Sequence, residues 1–334
     1  MIPAPRRLAL LEAGKLKLAA KARLAEGGQS ARYDAAVLYH AAARAEQRAL
    51  LALEAPSPEA RLASAIERCA CLILGFDASE VLDLGWADVL EASSAVEKKT
   101  AEAMRARIDE MMRDFVERYQ KALGKVPAHD ARVDACAPPR PATRSARRDL
   151  DRFLQAFPGD AFAWARRSAL SFEEGDAARA WEEIRRAREL VPQEDSFMGW
   201  ELRLVSKHLP TAQAEARLAE AYARIERDDA SANVCFGFVI AALDLAPKSK
   251  HRDELLRQAS NAATREAARA PQSEDRKMFR ALDLSLREML AGRKPGLEIL
   301  YRCGLGHLAA AAPKQADPMK IVLARTTPFR RLAA

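Results

Sequence analysis

Much of what builds an active site or a β fold is missing from this chain of 334 residues. Aromatic residues make up only 6%, which argues against a β-sandwich or barrel core. Glycines number only 14 and alanine is abundant, a composition that favours helix. No glycine-rich dinucleotide or phosphate loop with its following Lys-Ser/Thr, no HExxH and no EF-hand pattern occurs. The cysteines, Cys69, Cys71, Cys136, Cys235 and Cys303, are odd in number and scattered, without a C-x-x-C or a histidine at zinc-ligand spacing. They read as small buried hydrophobes in a reducing compartment. No window approaches ~18 uncharged apolar residues, so no membrane span is expected. Charge interrupts the apolar run after Met1, which leaves no signal core and makes the cytoplasm the expected location. No metal site, cofactor or catalytic residue is expected.

What is present is an ordinary globular mixture of 49% hydrophobic and 30% charged residues. The net charge is +7, spread over helices of mixed sign. It permits attraction to acidic partners without demanding nucleic acid.

Helical signals run from the start. Leu8 to Leu24 reads as a helix stopped by Gly27-Gly28, and Arg32 to about Leu53 as a second, with Ala36, His40 and Ala43 on one stripe. Ser57-Pro58 caps a third that reaches Leu74. A fourth is expected over Ala78 to Leu90, weakened by Gly85, and a long one from Ser94 to Leu123. The long helix carries Ala101, Met104, Ile108, Met111, Met112 and Phe115 at helical spacing, read as core packing rather than an adaptable binding stripe. Four prolines between Pro127 and Pro141 break the pattern. Helices resume at 144–157, 161–173, 176–190, 194–208, 211–226, 231–245, 250–270, 273–291 and 295–311, with short links that force antiparallel neighbours. The expected organisation is a helical domain over 1–124, a proline-rich linker over 125–143, a repeat domain over 144–312 and an arm or tail over 313–334. Met319 to Arg325 is the β-like run of that tail.

Pro158 and Pro192 lie 34 residues apart, and each closes a similar stretch. Between them stand Trp164, Ser168, Gly175, Ala180, Ile184 and Ala187, an order of bulky, small, turn and small residues that lets two antiparallel helices lock together. Residues 161–194 resemble a tetratricopeptide repeat. The next stretch keeps Ala214, Leu218 and Ala221 but replaces the turn glycine with Leu209-Pro210; Arg144 to Pro158 resembles a lone second helix, and Arg32 to Glu46 resembles another, its first helix set apart by the insertion Gly27-Gly28-Gln29-Ser30. That N-terminal hairpin also resembles the microtubule-interacting-and-transport module. The fold class expected is therefore all-α, with antiparallel hairpins stacked as a tetratricopeptide-like α-solenoid beside an N-terminal helical bundle.

The histidines give no catalytic pattern. His40 sits on an apolar helix face, His129-Asp130 is a neighbour pair without a serine elbow, and His208 precedes a helix break. The function expected is a non-catalytic scaffold or adaptor that holds a protein or peptide in a concave groove. The resemblance places partner-facing positions at Phe162, Arg166, Phe172 and Glu173, and near Gly199, Trp200, Arg203 and Lys207. Arg166, Arg203 and Lys207 would pair with carboxylates of the ligand. Phe172 and Trp200 either anchor it or seal the core between hairpins. The alternatives are a nucleic-acid-associated basic protein, using Arg140 to Arg152 and Arg325 to Arg331, or an accessory subunit of an effector enzyme. Oligomeric state is left open.

Overall fold

A computed structural model of the chain describes residues 3–123, 144–270, 273–293 and 298. Every regular element among them is helical and none is a strand. The proline-rich segment, the helix expected over 295–311 apart from residue 298, and the tail with its β-like run lie outside the described residues.

The first helices follow the sequence signals with shifted ends. α1 spans Ala4–Glu26 and α2 Gly28–Leu51; Gly27 and Gly28 make the reversal between them with positive φ, as glycine allows. α3 is Pro58–Leu74, and the Ser57 side chain accepts from the Ala60 N–H at 3.2 Å. The single helix expected over 78–90 is broken. A short α4, Ala78–Glu80, runs into a π turn at Val81–Gly85 and then into α5, Trp86–Ser94. A Cβ on Gly85 would come within 3.2 Å of Leu72 Cδ1, so glycine lets the turn lie flat on α3. The long helix, α6, starts at Lys98 and not at Ser94, because Glu97 accepts from the N–H groups of Lys99 and Thr100 and caps it there. Next come α7 (Arg144–Ala156), α8 (Ala161–Glu173), α9 (Ala177–Leu190), α10 (Asp195–His208), α11 (Thr211–Glu226), α12 (Ala232–Leu245), α13 (Arg252–Arg269) and α14 (Ser273–Leu290).

The helices form two compact units. The first holds α1 to α7, α8 as far as Leu170, and Arg186–Pro192; the second holds Ser171–Arg185 and α10 to α14. Helix α7, which was expected to open the repeat domain, thus belongs with α6. Phe153 and Phe157 meet Phe115 and Tyr119 of α6 in an aromatic cluster with ring centroids 5.1–6.4 Å apart. Alanines line the α1–α2 hairpin: Ala13, Ala20, Ala35, Ala36, Ala42 and Ala45 are fully buried and allow the two helices to approach closely. The stripe of α6 divides, with Ala101, Ile108, Met112 and Phe115 in the core and Met104 and Met111 at its margin.

In the second unit α10 and α12 touch backbone to backbone. A Cβ on Gly199 would lie 2.3 Å from Asn233 O, and one on Gly237 would lie 2.1 Å from Gly199 O. Gly199 therefore faces α12 inside the unit and not a groove, because only a residue without a side chain fits there. Ala214, Leu218 and Ala221 of α11 are fully buried.

Arginines close helix C-termini in both units. Arg32 donates to Gln155 O and Ala156 O at the end of α7, and Arg44 to Leu190 O at the end of α9. Arg265 donates to Ile225 O and Glu226 O at the end of α11, and Arg252 to Met289 O near the end of α14. The last carbonyls of a helix lack intrahelical donors and carry the negative end of its dipole, so a guanidinium suits them. Part of the basic surplus thus serves the fold.

Candidate functional site

The residues singled out by the repeat pattern mostly fall in the interior. Trp164 is 2% exposed and donates from Nε1 to Pro158 O at 2.8 Å. Its ring meets Tyr33 edge-on at 6.1 Å and lies under the Arg186 guanidinium at 4.8 Å. Ser168, Ala180, Ile184 and Ala187 are fully buried. Gly175 has φ +85° and no neighbour a Cβ would strike, so its role is the left-handed turn between α8 and α9. Pro192 is exposed just beyond α9.

The partner-facing candidates separate by unit. Phe162 and Arg166 are half-buried in the first unit; the side chain of Glu173 lies outside the described residues. Phe172, Trp200, Arg203 and Lys207 belong to the second unit. Trp200 is 5% exposed and meets Phe172 edge-on with centroids 5.6 Å apart. Of the two readings open for it, the tryptophan takes the sealing one, and Phe172 is half-buried against it.

Arg203 is the distinctive group. It stands one helical turn after Trp200 on α10, so its guanidinium lies over that ring at 4.8 Å, with Phe236 of α12 at 5.9 Å. Nη1 is enclosed and has no acceptor, and no carboxylate comes within ion-pair distance among the described residues. Burial pulls its pKa down to about 10, while the Asp244 charge acts the other way. It remains a cation at neutral pH. Lys207, exposed one turn further on, gives its ammonium to Asp244 at 2.9 Å, and Ser206 Oγ lies 3.4 Å from the same carboxylate. Lys207 is thus already neutralised within the unit. This ledge on α10 and α12 can offer an aromatic-backed guanidinium to an acidic group.

Sequence reasoning missed Phe236 and Asp244, which sit on another helix, and a buried polar cluster in the first unit. There His40 Nε2 lies 3.2 Å from Asp77 Oδ2, both side chains being enclosed. Asp77 Oδ1 caps α4 by accepting from the Glu80 N–H at 2.8 Å. Asp160 Oδ1 caps α8 through the Ala163 N–H at 2.8 Å, and its Oδ2 accepts from the N–H and Oγ of Ser79. Burial, then the neighbouring Asp77 charge, pushes the Asp160 pKa up to about 7. The contacts of these carboxylates are those of helix caps. The Asp-x-x sequence before each helix was the signal available.

An open pocket of about 480 Å³ lies between the end of α3 and α6, lined by Ile73, Met111, Asp114, Glu117, Arg118 and Lys121. Its charges are of both signs. Among the described residues no group of three or more His, Cys, Asp or Glu side chains is placed to hold a metal ion, and no helix is long and apolar enough to cross a membrane. Comparison of the chain with family models, with curated proteins and with solved structures finds no match.

Proposed function

We propose that this protein is a non-catalytic interaction scaffold that holds a protein or peptide, and that Arg203 takes an acidic group of that partner. The carrying observation is a guanidinium held by two aromatic rings instead of by an acid. A structural arginine of the second unit, such as Arg265, spends its donors on carbonyls. Arg203 keeps its charge in a desolvated setting, where pairing with a carboxylate is stronger than in open water. Aromatic and arginine side chains are also the types that dominate binding energy at protein interfaces.

The test is fluorescence anisotropy with labelled peptides: acidic ones with a free or amidated C-terminus, neutral counterparts, and a single-stranded oligonucleotide. Acidic peptides bind wild type, and Arg203→Met, which keeps the apolar stem, weakens them about tenfold or more. Lys207→Ala has a smaller effect, because Asp244 already neutralises Lys207. Undiminished binding by Arg203→Met rejects the assignment. Retention of the oligonucleotide alone, falling steeply with salt, would favour the nucleic-acid reading.

A further inference from the structure

We infer that α1 carries an interface for a second copy of this chain, formed by parallel pairing of α1 with its counterpart. Helix α1 is apolar on two opposite faces. One face, with Ala9, Ala13 and Ala20, is buried, Ala13 and Ala20 completely. The other carries Leu8, Leu11 and Leu18, which are 65%, 57% and 69% exposed. A solvent-facing helix side rarely aligns leucines in this way without a partner.

The spacing names the kind of partner. With Leu8 in the first position of a heptad, the two seam positions read Ala4, Leu8, Leu11, Lys15, Leu18, Ala22 and Ala25, all exposed. The seam is narrow, as in a coiled coil, and not the broad face that lies on a membrane. The flanking positions before the seam are Arg7, Gly14 and Lys21; those after it are Glu12, Ala19 and Glu26, and all six are exposed. In a parallel pair each residue of the first set meets the residue five places later on the other helix. That sets Arg7 against Glu12, Gly14 against Ala19 and Lys21 against Glu26. Charges match at both ends, and the two small residues meet in the middle. An antiparallel pair that sets Leu8 against Leu18 would put Arg7 near Lys21 and Glu12 near its own copy, like against like. Arg7, Lys15 and Lys21 make no ion pair among the described residues. Glu12 and Glu26 do hold Arg48 and Arg23, but these are exposed pairs that contribute little and can be shared. Lys15 faces its own copy across the seam, a like-charge contact at an exposed position that costs this pairing some stability.

Sedimentation equilibrium of the full chain tests this. Wild type rises with concentration from the monomer mass of 36.8 kDa towards twice that value. Leu11→Glu with Leu18→Glu stays monomeric, with an unchanged circular dichroism spectrum since both side chains are exposed. Arg7→Glu with Lys21→Glu, and Glu12→Lys with Glu26→Lys, are each monomeric alone and form a dimer when mixed. Lys15→Leu tightens wild-type association. A wild type that stays monomeric at every concentration overturns the proposal, as does a dimer that survives the leucine changes. Failure of the mixed charge variants to associate, while wild type does, overturns the parallel arrangement.

Discussion

Both units bring backbones into contact through paired glycines, but at different places along their helices. In the second unit Gly199 and Gly237 meet within α10 and α12. In the first, Gly159 lies in the link between α7 and α8 and meets Gly75 at the end of α3, where a Cβ on Gly159 would be 1.7 Å from Gly75 O. A helix interior has its N–H groups satisfied, so burying it asks only for small residues. A helix start has orphan N–H groups, so burying it asks for acceptors as well. Asp77 and Asp160 are those acceptors, and His40 Nε2 lies beside the Asp77 carboxylate. The close approach thus needs two carboxylate caps beside the glycines in the first unit, and only small volume in the second.

The largest expected effect comes from Gly237→Ala. The added methyl meets backbone that cannot swing aside, so the cost is about 3 kcal/mol or more, read as a lowered urea midpoint. Gly14→Ala, in open space on α1, is the control and stabilises by about 0.5–1 kcal/mol. Equal behaviour of the two would break the steric half of the comparison.

Next is Asp160→Ala, which strands the donors of Ala163 and Ser79 and costs about 2–3 kcal/mol. Its titration gives the sign of a pH dependence. The folded state holds the Asp160 proton up to about pH 7, whereas the unfolded chain releases it near about pH 4. This group's stabilising contribution is complete below the lower value and is lost as the pH rises to the upper one. Asp160→Asn removes that slope, and urea midpoints across the interval measure it. No substitution at Gly199 or Gly237 should alter the slope.

The smallest effects are those of the C-terminal arginines. Arg44→Ala in the first unit and Arg265→Ala in the second should each cost about 1 kcal/mol, since the freed carbonyls can turn to water. A much larger loss in one unit would show that its helix ends are buried more deeply than the cap geometry implies.

Helix after helix could be read from local chemistry: the Ser57-Pro58 cap, the prolines at 158, 192 and 210, and the glycines at 27 and 175. The bulky and small positions from Trp164 to Ala187 were legible as interior for the same reason, a period of about 3.6 residues. Gly85 weakened one helix visibly, but its close approach to Leu72 of α3 could not be read from neighbouring residues. Gly199 was misread as groove-facing because helical spacing tells which residues share a face and not what covers it. Arg203 was picked out by position on α10, while the rings that hold it come from both α10 and α12.

The chain by itself determined the helical make-up of the described residues and most of their helix ends, because propensity, capping and proline act over a few neighbouring residues. Tertiary structure alone decided that residues 40, 77 and 160 share one enclosed site and that Gly199 rests on α12. It also decided which of the two apolar faces of α1 is covered. Those outcomes depend on contacts between residues far apart in sequence, and a helical period carries no record of its partner.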